Sequence, residues 1–112
     1  MEEQERFAEN IRQAGRLIAE AEFKLAQADA QERRIVAQAM VIAEAKGEKT
    51  HAKQSRTADE DESVFQARLE KGKAKGSLAS AKTNLSACET EFKVWQSTMA
   101  NLRFEKNRIY NT

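Results

Sequence analysis

The sequence predicts an all-α fold: a long antiparallel two-helix coiled-coil hairpin that assembles into a four-helix bundle or higher oligomer. Three observations predict it. The chain carries two heptad registers, it contains no proline, and its apolar pattern breaks only once, near the middle.

Stepping alternately by four and three from Phe7 gives Phe7, Ile11, Ala14, Ile18, Ala21, Leu25, Ala28, Glu32, Ile35, Ala39, Ile42 and Lys46. All but Glu32 and Lys46 are apolar. A second ladder runs Val64, Ala67, Lys71, Ala74, Leu78, Ala81, Leu85, Cys88, Phe92, Trp95, Met99, Leu102, Lys106, Ile109, broken only by the two lysines. Such spacing keeps one side of each helix facing a partner. Between the ladders the chain supplies stop and start signals. Gly47 suits a left-handed helix C-cap. Thr57-Ala58-Asp59-Glu60 reads as a capping box, and the acids Asp59, Glu60, Asp61 and Glu62 suit the positive end of a helix dipole. The expected boundaries in this single domain are therefore helix one over 3–46, a tip over 47–57 and helix two over 58–110. Folding back at such a tip sets Ala28 near Ala81, Ile42 near Val64 or Ala67, and Glu32 close enough to Lys71 to pair.

The composition agrees. Of 112 residues, 33% are charged and 6% aromatic, with Ala, Glu, Lys, Gln and Arg abundant. Nineteen basic residues against eighteen acidic ones leave +1, so only the distribution of charge can point to a polyanionic partner. No stretch is long and apolar enough for a bilayer, and the segment MEEQERFAEN is acidic where a signal peptide is basic. Cys88 has no second cysteine to pair with. These features predict a cytoplasmic protein.

No motif in the chain carries catalysis. The lone histidine, His51, lies in the tip, and no His/Cys/Asp/Glu group has metal-ligand spacing. Cys88 falls on the seam, where it acts as a small hydrophobe. The expectation is a protein without enzyme activity, metal, cofactor or small-molecule substrate.

Two features lie off the seams. Phe23, Met40, Val41, Phe65, Leu69, Val94 and Phe104 fall on outer heptad positions, where an isolated hairpin has no use for them. They are the candidate interface, for self-association first and a different protein second. Basic residues gather at Lys46, Lys49, Lys53 and Arg56 in the tip, and at Arg68, Lys71, Lys73, Lys75 and Lys82 in helix two. They are the candidate nucleic-acid contacts, since affinity for a phosphate backbone comes mainly from Lys and Arg. No aromatic residues are interleaved with them for base stacking, so a solvated charged face fits them too. Gly72 and Gly76 weaken helix two locally. Tyr110 with Arg103, Lys106 and Arg108 forms a basic end that suits both a partner and the helix dipole.

The Gly-containing tip, the acidic run Asp59 to Glu62, the Ala/Leu/Lys heptads and the ending FKVWQSTMANLRFEKNR resemble a known group. This group comprises small coiled-coil proteins encoded in the recombination and replication gene clusters of tailed bacteriophages. The resemblance covers residues 45 to 110, and the Trp95 segment is its distinctive part. It implies an oligomer that assists single-strand annealing or strand exchange, binding single-stranded DNA or a DNA-binding protein. The competing expectation is a protein–protein module, an adaptor or a small phage inhibitor of a host protein, without nucleic-acid contact.

Overall fold

The computed structural model describes residues 2–110. Its described residues form three helices, α1 over Glu3–Ala45, α2 over His51–Asp59 and α3 over Glu62–Tyr110. Contacts group the chain into two compact units, Met1–Ile18 with Ser80–Thr112, and Ala19–Ala79.

In the first unit the start of α1 packs on the second half of α3. Ala14 is fully buried, while Phe7, Ile11, Ala81, Leu85, Cys88, Phe92, Trp95 and Met99 are half-buried along the predicted seam. Phe7 is the centre of an aromatic cluster, with ring centroids 5.9 Å from Phe92 and 5.5 Å from Trp95. Such tilted pairs add to the burial of the rings themselves. The Trp95 indole N–H donates to the Glu3 carboxylate, so the polar edge of the ring is satisfied while its body fills the seam.

The seam ends sooner than the heptads do. Leu102, Lys106 and Ile109 were expected on it, yet all three are exposed. Glu3, at the start of α1, already bonds to Trp95. Among the described residues no helix therefore lies opposite the last turns of α3.

In the second unit α1 and α3 run antiparallel: Asp29 meets Lys71, and one turn further up α1 Glu32 meets Arg68. Ala28 stands beside Ala67 and Glu70, lining a furrow of about 440 Å³, instead of facing Ala81 as expected. Two small side chains facing each other leave that space unfilled. Ala21, Ala39 and Ala67 are buried on the predicted seam. At its end the buried face steps by four, from Ala39 to Ala43, where the ladder required three. Ile42 consequently turns outward, and Lys46 is exposed as well.

Helix α2 is the main departure from the expected tip. The tip was expected over 47–57, with Thr57 as the N-cap of helix two, but residues 51–59 form a helix of their own with Thr57 inside it. Only Ala52 and Ala58 are apolar in HAKQSRTAD, so no periodicity could show it. Its caps make it. Thr50 is extended, at φ −106° and ψ 148°, and its hydroxyl accepts from the Lys53 amide at 3.2 Å. The second long helix consequently begins at residue 62, not 58. Its N-cap is Asp61, whose Oδ1 accepts from the amides of Ser63 and Val64 at 2.8 and 3.3 Å. Ala58 of α2 packs with Ala39 and Val64, and Ile35, Val36 and Met40 close around them.

Val64 is the only fully buried side chain larger than alanine among the described residues. Val64→Ala should therefore lower unfolding stability by about 2 kcal/mol. Leu102→Ala, a seam position by heptad count but exposed in the structure, should change it by less than about 0.5 kcal/mol. Urea denaturation of the two variants measures both.

Candidate functional site

The end of α1 shapes the tip. Gly47 takes φ 108°, a region that favours glycine, and the chain closes around it. The Gly47 amide donates to the Glu44 carbonyl at 3.0 Å and the Glu48 amide to the Ala43 carbonyl at 3.0 Å. This is the paired-bond Schellman cap that the sequence position of Gly47 predicts. The Gln54 side-chain amide then donates to the Glu48 carbonyl at 2.9 Å, fastening the turn to α2.

On that frame Lys46, Lys49, Lys53 and Arg56 are exposed, and among the described residues none of them makes an ion pair. Lys53 and Arg56 are three residues apart and share one side of α2. Ala58 is buried on another side against Ala39 and Val64, which anchors the helix with its two cations outward. His51 is exposed beside them.

The basic residues of α3 fare differently. Arg68 bonds to Asp59 of α2 at 2.8 Å and approaches Glu32 at 3.9 Å. Lys71 is half-buried between Asp29 at 2.7 Å and Glu32 at 3.3 Å, the cross-pair expected from the sequence. Lys73 pairs with Glu70 at 3.2 Å along the same helix. Lys75 is exposed and borders a hollow with Asp29 and Lys71. Lys82 belongs to the other unit. Of the nine basic candidates the structure thus groups four around α2 and ties three to carboxylates.

The sequence reading did not single out Asp29 or, as an ion-pair partner, Asp59. Asp29 directly follows the seam residue Ala28, a flanking position from which a carboxylate can reach across; that was the available signal. The Lys71 hydrogen bond holds the Asp29 carboxyl below its ordinary 3.8 against the opposing effect of desolvation, with Arg33, Lys71 and Lys75 adding positive field. Lys71 is raised above its ordinary 10.5 by its hydrogen bonds to Asp29 and then Glu32.

Of the apolar candidates, Phe23, Val41, Phe65, Leu69, Val94 and Phe104 are exposed. Met40 is not an outer residue: it is half-buried against Ala39, Ala58 and Val64, because α2 widens the buried face of α1 there. Arg103, Lys106 and Arg108 are exposed at the end of α3, and the Tyr110 side chain lies outside the described residues. Gly72 and Gly76 sit within an unbroken α3, and a Cβ at either would meet nothing within 4 Å. Among the described residues no group of His, Cys, Asp or Glu is placed to hold a metal ion, and no helix is long and apolar enough to cross a membrane.

Comparison with protein-family models finds no match, and neither curated protein sequences nor solved structures give a significant one.

The clamp gives a pH signature. The contribution of Asp29 is fully present above pH 3.8 and is lost as pH falls through its lower folded value. That of Lys71 is fully present below pH 10.5 and is lost as pH rises past its raised folded value. Lys71→Met should therefore lower Tm relative to the parent chain between those limits. The difference should shrink toward both extremes in a series of thermal melts.

Proposed function

We propose that the chain is a non-enzymatic binding protein whose tip docks on the phosphate backbone of single-stranded DNA. It would act in the bacterial cytoplasm as an accessory to recombination or single-strand annealing. The observation that carries this reading is that Lys46, Lys49, Lys53 and Arg56, around an anchored α2, make no ion pair among the described residues, while Arg68, Lys71 and Lys73 are paired with carboxylates. Cations without an internal partner are available to displace counterions from a polyanion. The Ala/Leu/Lys heptads and Trp95 segment, in their resemblance to phage recombination accessories, supply the biological setting.

A second reading has its own support. Phe65 and Leu69 are four residues apart on one exposed side of α3, the spacing with which a helix presents apolar anchors to another protein. An adaptor or inhibitor working through them would bind its partner as firmly in high salt as in low.

Fluorescence anisotropy of a labelled oligothymidylate tests the first reading. Four phosphate contacts predict a log K against log salt slope of about −3 for single strands. Lys53→Glu with Arg56→Glu should abolish binding, whereas Lys73→Glu, at a residue already paired, should weaken it far less. Absence of binding at low salt would overturn the DNA reading.

A further inference from the structure

One face of α1 is spent on the seam, yet its opposite face carries a second heptad ladder. Ala19, Phe23, Ala26, Ala30, Arg33 and Ala37 follow one another by alternate steps of four and three. All six are exposed, and all lie in the Ala19–Ala79 unit. Phe23 is 64% exposed, as is Val41 one turn past the ladder's end. Helix α1 is therefore built to meet two helices, and among the described residues it meets one long helix.

We infer that this outer face of α1 pairs with the same face of a second copy of the chain, the two helices antiparallel about a two-fold axis between Ala26 and Ala30. The residues are self-complementary in that arrangement and in that register. Ala26 lies against Ala30 of the second copy, and Ala19 against its Ala37, so the backbones approach closely. Phe23 lies against Arg33 of the second copy, where the guanidinium can cover the ring face. Glu20, flanking one end of the ladder, comes beside Arg34 of the second copy, flanking the other, and the two-fold axis makes that pair twice. Glu20 and Arg34 are both exposed in the single chain. A parallel pairing loses both ion pairs and sets Phe23 on Phe23 and Arg33 on Arg33.

The surface available points the same way. The chain exposes 8668 Å². A compact monomer of 12.7 kDa exposes roughly 6,200 Å², and a standard interface covers about 800 Å² on each partner. A helix pair over Ala19–Ala37 thus covers apolar surface that the seam, with its alanine core, leaves in water.

Light scattering coupled to size exclusion, supported by sedimentation equilibrium, tests the inference on the full chain. The expected mass is twice 12.7 kDa. Phe23→Asp should give single chains with unchanged helical circular dichroism, while Phe65→Asp, on α3, should leave the dimer intact. Glu20→Arg and Arg34→Glu should each weaken association about tenfold, and the two combined in one chain should restore it. A monomer at concentrations approaching millimolar would overturn the inference. So would association that survives Phe23→Asp but fails with Phe65→Asp, or charge reversals that do not rescue each other. DNA binding by the tip uses other residues, so either result leaves that reading to its own test.

Discussion

Lys71 reaches from α3 to Asp29 and Glu32 on α1, and the alignment of the second unit hangs on that reach. The seam around it is mostly alanine: Ala21, Ala28, Ala39 and Ala67 fill it beside the larger Leu25, Ile35 and Val64. Alanines let helices approach closely, but successive alanine layers look alike, and a slide of one heptad would cost them little. A charged group that must find two carboxylates breaks that degeneracy, because a slide of one heptad sets Lys71 opposite Glu22 and Leu25 in one direction and opposite Val36 and Ala39 in the other. In the first unit the same task falls to shape, with Phe7 seated against Phe92 and Trp95. The polar solution and the aromatic solution each fix a register that alanine alone leaves open.

Much of this is legible in the sequence, and the limits have physical causes. The seam positions from Phe7 to Ala39 and from Val64 to Met99 are buried or half-buried as the heptads require. Periodicity reports which side of a helix is apolar, so it succeeds wherever a partner helix is present. It failed at Leu102 and Ile109 because a helix can remain apolar on one side after its partner has ended. It failed at Ile42 because the buried face turned by one residue where α2 joins the packing. Helix α2 itself was hidden, since two alanines in nine residues make no pattern. It runs from its N-cap Thr50 to its C-cap Glu60, and Asp61 caps the helix that follows, whereas the local sequence pointed to Thr57 as the N-cap with Glu60 completing a capping box.

The basic residues show why a candidate site is harder to read than a fold. In the sequence, Arg68 and Lys71 look as available as Lys49, Lys53 and Arg56. The distinction lies in carboxylates brought near by folding, Asp29 and Glu32 from α1 and Asp59 from α2. A lysine already neutralised within the fold contributes little to counterion release from another molecule, whereas an outward cation on a capped helix keeps its full charge for it. The division of labour between structural and free cations is thus set by the same register that Lys71 fixes.

The most direct measurement of that role is a distance within the second unit. Nitroxide labels at Ala30→Cys and Lys73→Cys, in a Cys88→Ala background diluted with unlabelled chain, would report the α1–α3 alignment by pulsed electron resonance. A single narrow distance is expected with Lys71 present. Lys71→Ala should keep the helical circular dichroism and spread that distance into two or more populations separated by helix slippage. An unchanged narrow distance in Lys71→Ala would contradict the account, because the alanine seam would then specify its own register.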